Sequence, residues 1–106
     1  MITLEEFKKI ELKVAVIKEV IEHPDADRLY IITVDLGDKT KQVVAGIRSS
    51  YQKEDLIGKQ VVVADNLEPA FLRGVESQGM ILAASDEEGI SVITTERKVK
   101  LGSTVK

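Results

Sequence analysis

The stretch Leu29-Tyr30-Ile31-Ile32-Thr33-Val34-Asp35-Leu36-Gly37-Asp38-Lys39-Thr40-Lys41-Gln42-Val43-Val44-Ala45-Gly46-Ile47-Arg48-Ser49-Ser50-Tyr51-Gln52-Lys53-Glu54-Asp55-Leu56-Ile57-Gly58-Lys59-Gln60-Val61-Val62-Val63-Ala64 decides the fold. Leu29 to Leu36 reads as a strand and Lys41 to Ile47 as the next, with Gly37-Asp38-Lys39 turning the chain between them into a hairpin. Tyr51 to Ile57 has helical composition and stops at Gly58, a residue that accepts the left-handed conformation of a helix end. Val61 to Ala64 is again apolar and β-branched, the mark of a strand. Strand, strand, helix, strand is the spine of the reading.

Upstream, Thr3-Leu4-Glu5-Glu6 fits a capping box, with a short helix expected through about Lys9 and Leu4, Phe7 and Ile10 at helical spacing. Leu12 to Lys18 reads as the first strand, with Leu12, Val14 and Val16 on one face. His23-Pro24-Asp25-Ala26-Asp27 is turn chemistry. Downstream, Asp65 to Gly74 reads as a long connection containing Pro69. Gln78 to Ser85 is the fifth strand, Ile90 to Thr94 pairs with it across Asp86–Gly89, and the tail Lys98–Lys106 adds a short edge strand. The order predicts an all-β, five-stranded OB-fold barrel with a short N-terminal helix and a helix between strands three and four. Such barrels bind oligonucleotides or sugars between the loops that join strands one to two and four to five, here His23–Asp27 and Asn66–Gly74. One domain over residues 1–106 suits this length.

Composition narrows the chemistry. The chain has 43% hydrophobic residues and only four aromatic ones, so its core is built from Val, Ile, Leu and Ala. With no cysteine, disulfides, thiolate metal sites and a cysteine nucleophile are excluded. No stretch approaches the roughly 18 apolar residues of a membrane span, and Met1 to Ile10 has no apolar signal region. A soluble, cytoplasmic protein is expected. His23, the one histidine, reads as a loop residue, and Asp25, Asp27 and Asp35 lack the spacing of a calcium loop. Ser49, Ser50, Ser77 and Ser85 have no base placed to activate them. No catalysis, cofactor or metal is expected.

The net charge of −3 counts against nucleic acid, whose binding is driven by Lys and Arg displacing counterions. The charge is patterned, however. Lys39, Lys41, Arg48 and Lys53 follow one another with no acid between them, a candidate basic patch. In the segment Asn66 to Ala84, the groups Asn66, Arg73, Ser77 and Gln78 suit phosphate, ribose or exposed base edges. Loop packing by Asn66 and Ser77, and core packing by Met80, are the plainer uses of the same residues.

Three separated motifs then bear a resemblance: His23-Pro24-Asp25-Ala26-Asp27-Arg28-Leu29-Tyr30; Val43-Val44-Ala45-Gly46-Ile47; and Asn66-Leu67, Pro69, Arg73-Gly74, Ser77-Gln78-Gly79-Met80 and Ala83-Ala84. Together they resemble the tRNA-binding domains found at the C-terminus of methionyl-tRNA synthetase, as free-standing structure-specific tRNA-binding proteins, and in the endothelial monocyte-activating polypeptide. The resemblance implies an OB fold, a non-catalytic role, binding to the outer corner of tRNA, frequent homodimers and service to a synthetase in cis or in trans. It makes Asn66, Arg73, Ser77 and Gln78 candidate tRNA contacts, with Lys41, Arg48 and Lys53 attracting the backbone and Arg28, Phe71 and Met80 as further candidates. Two departures lower the expected affinity: Glu68 stands where the family usually has Lys, and Phe71 where a basic residue is common. Phe71 has two uses open to it, stacking on an unpaired base or plain packing. A relative reported as a peptide-binding, export-related chaperone shares the motifs and supplies the alternative function. A structural subunit that tethers a synthetase complex without touching RNA is a third.

Overall fold

Thr3 and Glu6 satisfy each other's amides in a capping box, Thr3 N–H to Glu6 Oε1 at 3.0 Å and Glu6 N–H to Thr3 Oγ1 at 3.1 Å, and open a helix, α1 (Leu4–Phe7). In this computed structural model, which describes residues 1–106, that helix is shorter than the sequence suggests. Lys9 and Ile10 bond back only three residues, to Glu6 and Phe7, which tightens the turn and ends it.

The strand β1 (Leu12–Glu22) is long because it serves two neighbours. Its first half pairs antiparallel with β4 (Gln60–Ala64), and its second half with β2 (Tyr30–Asp35). A register shift between Ile17 and Glu19, within the pairing with β2, changes which parity faces inward. Ala15, Ile17 and then Val20 lie in the main core, while Leu12 packs with Val62 and Ala64 in a smaller cluster. Leu12, Val14 and Val16 do share one face, since the register against β4 is unbroken from Leu12 to Val16, but the main core takes the opposite face, with Ala15 and Ile17. In the unbroken run Val14-Ala15-Val16-Ile17 alternation cannot say which parity faces the core, and the partners decide.

The hairpin of β2 with β3 (Thr40–Ala45) forms as expected, in register from Tyr30↔Ala45 to Asp35↔Thr40. Asp35 Oδ1 accepts the Gly37 amide at 2.8 Å inside the turn. The second helix, α2 (Lys53–Leu56), lies between strands three and four. It inserts Leu56, fully buried, into the core beneath the barrel. Gly58, at φ +90°, supplies the left-handed exit. Its amide then bonds Ile17 O at 2.8 Å.

Beyond β4 the expected long connection contains structure of its own. The hairpin of β5 (Ala70–Leu72) with β6 (Val75–Ser77) stands apart from the main sheet. The expected fifth strand is split. Met80–Ile81 (β7) pairs with β4, whereas Ala83–Asp86 (β8) pairs with Gly89–Val92 (β9). At the end, Thr104–Val105 (β10) adds to the edge of β1, as the tail reading expects. The main sheet runs β3-β2-β1-β4-β7 and curls into an all-β, OB-like barrel.

The remaining gap, between β3 and the β6–β7 segment, is closed largely by side chains. Ser77 Oγ accepts the buried Val44 amide at 2.9 Å and donates to Gly79 O at 2.9 Å. Gln78 Oε1 accepts the Gln42 amide at 2.9 Å, and the Gln78 amide returns a bond to Gln42 O at 2.8 Å. A strand too short to complete the ladder is finished by two polar side chains.

Candidate nucleic-acid interface

Two loops meet at one end of the barrel. The first, between β1 and β2, is held by the His23 amide bonding Leu29 O at 3.1 Å and by Arg48 Nη1 donating to Ala26 O at 3.3 Å. The second is the tip of the β5–β6 hairpin, a two-residue turn with Arg73 at φ +50° and Gly74 at φ +85°. Positive φ at both central positions is the hairpin turn whose twist suits antiparallel strands, and Asn-Gly is its usual sequence. Arg73 is the one non-glycine residue in the chain at positive φ, a conformation that costs a side-chain-bearing residue on the order of 1–2 kcal/mol. The loops are joined. Arg73 Nη2 donates to Asp25 O at 3.1 Å, and His23 Nε2 lies 3.1 Å from Leu72 O.

The residues expected to contact RNA fall into three groups. Arg28, Phe71, Arg73 and Met80 are exposed, Phe71 to 70%, and neither arginine is ion-paired to an acid. Asn66, Ser77 and Gln78 are engaged in hydrogen bonds within the chain. Asn66 Oδ1 accepts the Glu11 amide at 2.8 Å and its Nδ2 donates to Lys9 O at 2.7 Å, fastening the N-terminal segment; Ser77, buried, and Gln78 close the barrel. Lys41, Arg48 and Lys53 are each paired with an acid. Lys41 Nζ lies 2.7 Å from Asp65 Oδ1, Arg48 pairs with Glu22, and Lys53 Nζ lies 3.6 Å from Glu22 Oε1. The basic run at 39–53 is acid-free only along the chain; the fold brings Asp65 and Glu22 to it.

Asp65 is the most heavily engaged of these acids. Burial pushes its carboxyl up, but hydrogen bonds and charge from Lys41 and Lys39 outweigh that and hold it below the ordinary carboxylate value. The hydrogen bond and charge of Asp65 in turn raise Lys39, whose Nζ is 3.1 Å from Asp65 Oδ2. Both lysines are thus ion-paired to the barrel through Asp65.

His23 is the residue the sequence undervalued. It is only 3% exposed and bridges both loops, a role with no local signal because its partner Leu72 lies 49 residues away. Beside the hairpin runs an apolar groove of about 740 Å³, lined by Val44, Ile47, Leu67, Leu72, Met80 and Ile90 among others. It is lined by apolar side chains that the strand order alone does not bring together.

Comparison with known proteins agrees with this geometry. The family described as "Putative tRNA binding domain" matches residues 12–104. A methionine–tRNA ligase of Thermococcus kodakarensis is 50% identical over 105 residues, 99% of this chain but 14% of the ligase. The chain thus spans about one seventh of the length of the curated relatives it matches. Among solved structures, a MetRS related protein from Pyrococcus horikoshii superposes with a TM-score of 0.93 at 32% identity, covering 100% of this chain and 98% of that one. A CsaA chaperone protein from Picrophilus torridus superposes equally well, at 0.93 and 28% identity, with 100% of both chains covered. With the family match running from the first strand to the last and half of all positions shared with a relative across nearly its whole length, this chain belongs to the tRNA-binding domain family.

Proposed function

We propose that this chain is a non-catalytic module that works in the cytoplasm, recognises the outer corner of folded tRNA and assists a methionyl-tRNA synthetase in cis or in trans. Arg73, Arg28 and Phe71 make the contact; Asn66, Ser77 and Gln78 hold the framework behind them; Lys41, Arg48 and Lys53 contribute field rather than contact. The observation that carries the reading is the pair of exposed arginines without acidic partners, on joined loops, beside an exposed Phe71. An aromatic ring in that position stacks on a base released from pairing, an interaction worth about 1–3 kcal/mol. The deep groove of duplex RNA offers side chains no such access.

A gel shift of total tRNA against duplex RNA of similar length, across a salt series, tests this. tRNA should bind more tightly, with a log–log salt slope of about 0.7 to 0.9 per phosphate contact. Equal affinity for the duplex would remove the shape-recognition reading. Glu68→Lys in the same assay should tighten binding at low salt and lose its advantage as salt rises, because exposed charges are screened beyond about 10 Å at 0.1 M.

The assembly we assign is a homodimer that covers the apolar groove, with twice the 11.7 kDa chain mass. Light scattering at tens of micromolar checks it, and a lone-chain mass there ends the assignment. The groove also favours a second reading, a peptide-binding chaperone, in line with the CsaA likeness. Binding of an apolar unfolded peptide that leaves tRNA affinity untouched would support that second use.

A further inference from the structure

We propose that His23 is a positioning residue: its neutral imidazole latches the β5–β6 hairpin to the β1–β2 loop and sets Arg73 and Phe71 in place before any RNA arrives. This inference rests on the tRNA-binding reading above. The two ring nitrogens have opposite tasks. Nδ1 lies 3.0 Å from the Asp25 amide, which can only donate, and Nε2 lies 3.1 Å from the Leu72 carbonyl, which can only accept. Only the neutral ring with its proton on Nε2 satisfies both. At 3% exposure water does not readily replace either partner.

The latch matters because the hairpin cannot hold itself. Two strands of three residues, outside the main sheet, are below what a hairpin needs for independent stability. The hairpin's foot is tied to the barrel by Ser77 and by Gln42 Nε2 donating to Glu76 O at 2.8 Å. Toward its tip, the side-chain bonds to the rest of the molecule are His23 to Leu72 O and Arg73 to Asp25 O. Both end on the β1–β2 loop, which Arg48 anchors at Ala26 O. Leu72 lies directly between Phe71 and Arg73 in the chain, so fixing its carbonyl orients both neighbours. A contact surface ordered in advance binds more tightly than one ordered on arrival.

Two near-isosteric variants separate the two bonds. In His23→Asn the amide oxygen takes the place of Nδ1 and keeps the Asp25 amide, as in an Asx-turn, but it does not reach Leu72. In His23→Gln the amide nitrogen reaches where Nε2 stood and restores the donor. Amide hydrogen exchange of residues 70–77 and tRNA affinity are measured on both variants and on the wild type. His23→Asn should speed exchange in the hairpin and weaken binding by about three- to tenfold, the factor that losing one hydrogen bond corresponds to. His23→Gln should recover most of both. Unchanged hairpin exchange in His23→Asn overturns the latch, and a loosened hairpin with unchanged affinity overturns its positioning role. Should wild type fail to bind tRNA at all, the functional reading falls, and the exchange rates still decide the latch. Imidazole NMR on the wild type gives a check independent of any variant: a proton found on Nδ1 overturns the proposal.

Discussion

Arg73→Asn should weaken tRNA binding by roughly tenfold or more while leaving the folded protein about as stable as before. The two halves of this expectation have different origins. A hydrogen bond to a charged group is worth about 1.5–3 kcal/mol, so removing the guanidinium from a phosphate gives at least the tenfold loss. The salt slope should fall by about 0.7 to 0.9 with it. Stability follows the backbone instead. Arg73 sits at φ +50° ahead of Gly74 at +85°, and Asn tolerates that conformation better than Arg. The relief offsets the lost bond to Asp25 O, which is exposed and therefore lies near the low end of the range for a charged hydrogen bond, about 1.5–3 kcal/mol. A residue kept against its local preference at a loop tip points to a use for its side chain. Thermal melts and tRNA isotherms on Arg73→Asn, with Arg97→Ala as a control that also removes one exposed charge, make the comparison. If both variants bind tRNA equally well, the hairpin tip is not the site.

Ser77→Ala should do the reverse, costing stability rather than contact. Its hydroxyl is buried and serves the Val44 amide and the Gly79 carbonyl together. Alanine leaves a buried N–H without an acceptor, at a cost of about 1–3 kcal/mol, which lowers the melting temperature of a domain this size by roughly 5–20 °C. Below the new transition, tRNA affinity should stay within about threefold of wild type. A variant that melts normally but no longer binds tRNA would return Ser77 to the contact surface, where the sequence motif alone first put it.

These two residues mark the border between what was legible and what was not. The hairpin β2–β3, the helix before β4 and the Gly58 exit were all readable, since each rests on local preferences: alternation, β-branching, a residue that accepts positive φ. The capping box at Thr3 and Glu6 was readable for the same reason. The β5–β6 hairpin was not, because Arg73-Gly74 lacks the Asn-Gly signature and its strands are three residues long. Nor was the break of the fifth strand at Leu82, whose amide still bonds Val62 O of β4 at 2.9 Å while its carbonyl accepts the Ile93 amide at 3.0 Å.

For the candidate site, the sequence by itself determined the family motifs, the two loops between strands and the polar groups along them. Tertiary structure decided what each group is free to do. Lys41, Arg48 and Lys53 look like an open patch along the chain, yet Asp65, just after β4, and Glu22 of β1 arrive from elsewhere in the chain to pair with them. Ser77 and Gln78 look like ligands for RNA, yet the barrel has a gap beside β3 that they fill. His23 looks like an incidental turn residue, yet it joins two loops far apart in sequence. The physical reason is the same in each case. Charge and hydrogen-bonding capacity belong to a residue type, but whether they are already engaged depends on partners that only folding brings within about 3 Å.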